Sequence, residues 1–318
     1  MTTETLHKTL SEAQDHLVTL QDMIRFAMSE FNKSDLFYGH GTESSLDDAV
    51  ALILGTLALP PDLDHLYFQT RLLPSEKKLL LSRIERRIEK KEPVAYLISE
   101  SYFAGLSFYV DNRVLIPRSP IAEVIEEEFS PWIDANNVER ILDIGTGSGC
   151  IAIASALMCE SALVDAVDIS TDALAVAKIN VERYALEEQV RLIQSDLFEK
   201  LSSTDQYDII IANPPYVPSS SMKVLPKEYL HEPQGALDGG EDGLKLVDKI
   251  LVEAINYLTP HGILIVEVGE AQVHLEEKYP GIPFTWLQFS RGGDGIFLLT
   301  RQELLEHQKE IQANANIA

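Results

Sequence analysis

Asn213-Pro214-Pro215-Tyr216 follows the apolar run YDIIIA over 207–212, and its residue types suit one kind of chemistry. Two prolines stiffen the loop. Pro214 has no N–H and presents a bare carbonyl, while the Asn213 side-chain oxygen is a second acceptor. Two fixed acceptors about one amino group apart take both hydrogens of a planar –NH2. That pulls the nitrogen lone pair out of conjugation and aims it at an electrophile. Tyr216 adds a ring face on which a flat acceptor group stacks. Taken alone, the tetrapeptide reads as a rigid surface turn. At the carboxyl end of a strand in an open α/β sheet it stands where ligands bind, and the chemical reading takes over.

Asp143-Ile144-Gly145-Thr146-Gly147-Ser148-Gly149 follows the apolar run RILDI and opens a helix reading CIAIASALM. Glycines let the backbone turn tightly and approach a ligand beside the N–H donors of the helix start. The alternative is a plain tight βα turn. A dinucleotide fingerprint needs glycine at positions 1, 3 and 6. Here position 6 is Cys150, and an acid precedes the first glycine by two residues. Asp168, 23 residues after Gly145, ends the next apolar run. At that distance a carboxylate accepts the ribose hydroxyls of an adenosine-type ligand; the competing role is an N-cap, with Ser170 or Asp168 capping the helix that follows. Asp196, with Leu197 beside it, ends a third run and suits an adenine amino group.

These loops need a scaffold of alternating strands and helices. Strands are predicted at 140–144, 163–168, 190–194, 207–212, 262–268, 284–289 and 295–300, and helices at 148–158, 171–185, 243–258 and 270–279. The alternation implies a mostly parallel sheet with helices on both faces, its last strands pairing antiparallel at an edge. The first ~90 residues have another rhythm. Apolar residues at helical spacing predict one helix over 4–31, a second opened by Ser44-Ser45-Leu46-Asp47 and ended by Pro60-Pro61, and a third from Ser75 to about Lys91. Two β-rich runs within 101–116 flank Asp111-Asn112, a predicted hairpin turn. The expected organisation is a helical domain over 1–95, a hairpin linker over 96–117 and an α/β domain over 118–318.

The 318 residues hold 26 Lys and Arg against 50 Asp and Glu, a formal charge of −24. Residues 1–115 contribute −5 and the remainder −19. Such a surface argues against a broad basic grip on nucleic acid. General solubility explains the acidity, or else the later part attracts a cation or a basic partner. Cys150 and Cys159 form neither a disulfide framework nor a metal cluster, so no metal is expected. No secretory leader or membrane span is visible, and a cytoplasmic protein is the expectation.

The D-x-G-x-G-x-G strand–loop–helix resembles the Rossmann-like class of S-adenosylmethionine-dependent methyltransferases, and N-P-P-Y resembles the amino-methyltransferases that modify planar nitrogens. Tyr102-Phe103-Ala104-Gly105-Leu106-Ser107-Phe108, Arg113-Val114-Leu115-Ile116-Pro117-Arg118, Glu232-Pro233, the segment from Ala236 to Leu244 and Val266-Glu267-Val268-Gly269 narrow this to the HemK-type protein-glutamine N5-methyltransferases. Ser119-Pro120-Ile121-Ala122-Glu123, Pro226 to Pro233, Phe284-Thr285-Trp286-Leu287 and Arg291-Gly292-Gly293-Asp294-Gly295 are similar to its branch acting on a glutamine of ribosomal protein L-three.

The resemblance implies S-adenosylmethionine as cofactor, held by Asp143, Gly145, Thr146, Gly147, Ser148, Gly149, Asp168, Asp196, Leu197 and Asn213, with Asp143 suited to the positive part of its methionine moiety. It implies catalysis by Asn213, Pro214, Pro215 and Tyr216, with Phe103, Arg118 and Tyr216 at the substrate. It implies a basic ribosomal partner, no membrane and no direct nucleic-acid grip; the helical domain is expected to dock the substrate. Phe103 and Phe108 either wall the acceptor pocket or fill a hairpin core. Arg118 pairs with an acid or guides the substrate. His231 is a loop histidine with a structural or solvated role, a general base being the alternative. Competing readings are methylation of the Gly-Gly-Gln loop of release factors, adenine-N6 methylation, which would need a basic face, and a cofactor-binding ribosome-assembly factor without turnover.

Overall fold

A computed structural model describes residues 3–316. The chain divides into two compact units: one reaches to Ser101 and takes in Val110–Asn112 and Pro226–Glu232, and the other holds the rest.

The first unit is helical: α1 (Thr3–His16), α2 (Leu20–Asn32), α3 (Ser45–Thr56), α4 (Pro74–Lys90) and the short α5 (Val94–Ile98). The single helix expected over 4–31 is two. Thr19 breaks it, its hydroxyl accepting from the Asp22 amide at 3.1 Å while the Asp22 carboxylate accepts from the Thr19 amide at 3.0 Å. This reciprocal capping box satisfies the first amides of a new helix, so the chain restarts although the apolar spacing continues across the break. Ser44 caps α3 as expected, accepting from the Asp47 amide at 3.2 Å. That helix ends at Thr56, ahead of the prolines. Met23, Phe31, Leu52, Ile53, Leu80 and Ile84 form the fully buried centre of this unit. Arg87 is buried with them, donating to Asp48 (2.7 Å), to Glu228 (3.1 Å) and to the Phe37 carbonyl (2.8 Å). Glu228 belongs to Pro226–Glu232, a segment of the same unit, so this ion pair ties it to α4 within that unit.

The hairpin is β1 (Ser101–Phe103) and β2 (Leu106–Phe108). Its turn is Ala104-Gly105, both with positive φ, and not Asp111-Asn112. Two consecutive positive-φ residues give the turn whose twist matches paired strands.

The second unit continues with α6 (Ile121–Glu126), β3 (Arg140–Ile144), α7 (Cys150–Met158), β4 (Leu163–Asp168), α8 (Thr171–Arg183), β5 (Val190–Gln194), β6 (Tyr207–Ala212), α9 (Lys245–Glu253), β7 (Leu258–Glu267), α10 (Gln272–Lys278), β8 (Thr285–Trp286), β9 (Ile296–Thr300), α11 (Arg301–Glu306) and α12 (Gln308–Asn314). Strand order is β5-β4-β3-β6-β7-β9-β8. The first five of these strands run parallel, and β9 is antiparallel to both β7 and β8, as the strand-rich end of the sequence implies. Alternate residues of the central strands face opposite layers. Ile141, Ile209, Ile211, Ile263 and Ile265 enter one core, and Leu142, Ile144, Ile210, Leu264 and Val266 the other. Burial on both faces is why these strands read as unbroken apolar runs rather than alternating ones. Helices α6, α11 and α12, six or seven residues each, are too short to show a period in sequence.

No helix among the described residues is long and apolar enough to cross a membrane.

Candidate active site

Strand order places a topological switch point between β3 and β6, where the chain turns from one half of the sheet to the other, and such points open a crevice at the carboxyl ends of the strands. Both sequence-predicted loops leave the sheet there. Ile144 is the register partner of Ala212, so the glycine loop and Asn213 start side by side. A Cβ added at Gly145 would stand 3.8 Å from the Asn213 carbonyl oxygen.

Gly145, Gly147 and Gly149 all have positive φ, a conformation that L side chains rarely adopt. Four of the loop's amides are engaged within the protein. Gly145 and Thr146 donate to the Val167 carbonyl at 2.9 and 3.0 Å, Gly149 donates to the Thr146 carbonyl at 2.8 Å, and Gly147 donates to the Asp168 carboxylate at 2.9 Å. With these donors engaged, the loop is a shaped surface rather than a phosphate nest, which separates it from the dinucleotide loops it resembles in glycine content.

Asp143 is fully buried. Its Oδ2 accepts from the Thr146 hydroxyl at 2.6 Å and the Ala152 amide at 3.2 Å. Its Oδ1 has no partner among the described residues. Burial pushes the carboxyl up to about 7 against the pull of those two hydrogen bonds, with the nearby Asp168 charge adding to the rise. A buried acceptor left unpaired costs free energy, and a hydrogen-bond donor, cationic or neutral, would satisfy it. At Cys150, the first residue of α7, burial pushes the thiol up to about 12, which disfavours the reactive thiolate.

Of the two candidate roles at Asp168, helix capping falls to its neighbour Ser170. Ser170 is the cap of α8, accepting from the Ala173 amide at 3.2 Å. Asp168 accepts from the Ser170 amide at 2.8 Å and ties β4 to the glycine loop through Gly147. Burial raises its pKa. Asp196 is half-buried at the end of β5; Leu197 beside it is buried and has φ +47°. The Ser195 amide donates to the Asp168 carbonyl at 3.0 Å, drawing the third strand end toward the second. Ser148 is buried, its hydroxyl unpartnered among the described residues.

Asn213 is half-buried, and its carboxamide makes no hydrogen bond among the described residues; Pro214 is buried and Pro215 half-buried. Tyr216 is held. Its hydroxyl donates to Glu267 Oε1 at 2.9 Å. A Cβ on Gly269 would lie 2.6 Å from the Tyr216 ring, and one on Gly243 would overlap the Tyr216 carbonyl oxygen. Gly243 and Gly269 therefore leave the space that this tyrosine occupies. Glu267, at the end of β7, was not among the sequence-predicted site residues. The available signal was a lone acid closing the apolar run Ile263-Leu264-Ile265-Val266.

Other predicted residues lie elsewhere. Phe103 is 4% exposed, edge-on to Phe108 at 6.4 Å within the core, so hairpin packing rather than a pocket wall is its place. Arg118 donates to the Ile116 carbonyl at 3.3 Å, and its charge favours the ionised form of Glu267. His231 Nε2 lies 2.7 Å from the Lys90 carbonyl, a structural contact within the helical unit.

Residues 129–278 match the family model described as Methyltransferase small domain. The ribosomal protein uL3 glutamine methyltransferase of Neisseria meningitidis serogroup A is 49% identical over 302 residues, 94% of this chain and 99% of that protein. The Francisella tularensis protein of the same description is 46% identical over 92% of this chain and 94% of its own length. Among solved structures, human methyltransferase 10 domain containing protein is similar with a TM-score of 0.44 and 21% identity, covering 62% of this chain and 89% of that one.

Proposed function

Since the chain belongs to the family of ribosomal protein uL3 glutamine methyltransferases, we propose that it methylates the N5 amide nitrogen of a glutamine in large-subunit ribosomal protein uL3, with S-adenosylmethionine as donor. The observation that carries the chemistry is the adjacency of a glycine loop and an unbonded Asn213 carboxamide at one switch point. The substrate follows from the relatives, whose similarity runs through both units and not the methyltransferase sheet alone. On this reading the enzyme works in the cytoplasm, where it meets a ribosomal protein, and the helical unit docks that substrate.

S-adenosylmethionine supplies, when bound, an electrophilic methyl on a sulfonium. Asp143 offers its unpartnered oxygen to the positive methionine end, and Asp168 accepts the ribose hydroxyls while keeping the loop closed through Gly147. Asp196 accepts from the adenine amino group, beside Leu197. Asn213 Oδ1 and the Pro214 carbonyl accept the two amide hydrogens of the glutamine, orient its –NH2 and free its lone pair; Tyr216 supports the amide plane. A neutral amide is a poor nucleophile, so the rate gain comes from this positioning and from acceptors fixed before the reaction.

The test offers labelled cofactor with purified uL3, a peptide-chain release factor and an adenine-containing oligonucleotide in parallel. Label on uL3 is expected. Label on the release factor alone moves the enzyme to the sibling activity, and label on the oligonucleotide alone overturns amide chemistry.

A further inference from the structure

Glu267 is 5% exposed, at the last position of β7 and next to a switch-point strand. A carboxylate there needs a reason, because removing a charge from water costs several kcal/mol unless it is paired and hydrogen-bonded. Both of its oxygens are used. Oε1 accepts from the Tyr216 hydroxyl and Oε2 accepts from the Ser119 hydroxyl. The Ser119 hydroxyl in turn accepts from the Ile121 amide at 3.1 Å, at the first turn of α6. Burial raises the Glu267 pKa above the ordinary carboxylate range, against the pull of the Ser119 and Tyr216 hydroxyls and of the Arg118 charge.

The tyrosine end of this chain is equally constrained. Gly269 fills the space against the ring, and the Gly269 backbone is itself pinned, its amide donating to the Gly295 carbonyl at 3.2 Å. Tyr216 has one place to be. Immediately before it stand two prolines and Asn213, whose φ freedom is small or transmitted directly to the tetrapeptide. Fixing the phenol therefore fixes the loop that carries the acceptors.

We propose that Glu267 is a positioning residue of the methylation reaction: bridging Ser119 and Tyr216, it locks the Asn213–Tyr216 loop in the geometry that presents two acceptors to the substrate amide. The proposal rests on the reading above that this loop clamps the amide. Its test compares Tyr216→Phe, Ser119→Ala, Glu267→Gln, Glu267→Ala and the double variant Tyr216→Phe/Glu267→Ala by uL3 methylation kinetics and by amide hydrogen exchange.

Tyr216→Phe and Glu267→Ala are expected to lower kcat at least tenfold. KM for uL3 and cofactor Kd should stay within about twofold, because Tyr216→Phe keeps the ring face on which the amide stacks and Glu267→Ala removes a group that contacts neither ligand. Exchange in the peptide spanning 213–219 should rise at least tenfold while β3 and β4 stay protected. Glu267→Gln keeps an acceptor for the phenol and should recover most of the rate; the double variant should be no slower than Glu267→Ala, since the two changes break one interaction. Loop exchange unchanged in Tyr216→Phe overturns the proposal, as does a Glu267→Gln enzyme as slow as Glu267→Ala. If Glu267→Ala does not fold, Tyr216→Phe and Ser119→Ala carry the same comparison. A wild-type enzyme that leaves uL3 unmethylated sinks the proposed function, and the exchange measurement then still decides the role of Glu267.

Discussion

Asn213, Asp168 and Asp143 do different work at one crevice, and each separates from the others in a measurement. Asn213→Ala removes an acceptor aimed at the reacting amide. By analogy with the loss of a single preorganised hydrogen-bonding group, turnover should fall about 10²–10³-fold with cofactor Kd within about threefold; near-normal turnover would reject the clamp. Asp168→Ala removes a hydroxyl acceptor and releases the Gly147 amide, so cofactor Kd measured by calorimetry should rise at least about tenfold, the ~1.5–3 kcal/mol typical of a charged hydrogen bond. Asp143 makes the pH prediction. Its folded-state pKa, about 7, lies above the ordinary carboxylate range because burial disfavours the charge. Between those two values the folded protein holds a proton that the unfolded chain has released. The stability it contributes is therefore complete below about pH 4 and is lost as pH rises through about 7. Asp143→Asn should flatten that part of the Tm–pH curve. A cation bound beside the ionised form should also bind more tightly as pH rises from 6 to 8, again flattened in Asp143→Asn. A wild-type cofactor Kd independent of pH over that range would remove Asp143 from the positive end of the ligand.

At the scale of elements, the hairpin and the capped helices illustrate what patterns specify. Phe103 sits in a strand of three residues, and whether it meets substrate or core is a packing question that its type leaves open. The structure puts it in the core, so Phe103→Ala should cost about 3–5 kcal/mol of stability, read in denaturant, with KM for uL3 nearly unchanged. A large KM increase at unaltered stability would restore it to the pocket. The hairpin turn itself was misread as Asp111-Asn112 because Asn and Asp are strong turn formers. Ala104-Gly105 turns instead, a position where only one of the two residues advertises positive φ. Likewise a continuous apolar spacing over 4–31 concealed the break at Thr19, although the Thr-x-x-Asp capping signature was present in the sequence. Thr19→Ala should destabilise the protein by about 1 kcal/mol, seen as a lower Tm, without altering cofactor affinity.

For the whole molecule, a charge of −24, with −19 on residues 116–318, faces a substrate class that is typically basic. Complementary charge acts chiefly on the rate of encounter. The second-order rate of uL3 capture should therefore fall steeply between low salt and physiological salt, while the single-turnover rate of the bound complex stays constant. A flat salt profile would reduce the acidity to solubility.

The sequence by itself determined the sheet, most of its strand positions and the two loops that bear chemistry, because buried parallel strands must be apolar runs and because glycine and proline act on their own backbone; of the edge strand expected over 284–289 only Thr285–Trp286 forms. It also located Asp143 and Asp168 by distance along the chain from the glycines. Only the tertiary structure decided which side chains meet. It brought Asn213 beside Gly145 across a strand pair separated by 68 residues in sequence, divided the capping and loop-holding roles between Ser170 and Asp168, and placed Glu267 and Ser119 behind Tyr216. Such meetings depend on strand order and on which face of the sheet a residue leaves. Periodicity records burial along the chain and carries no information about which distant element supplies the partner.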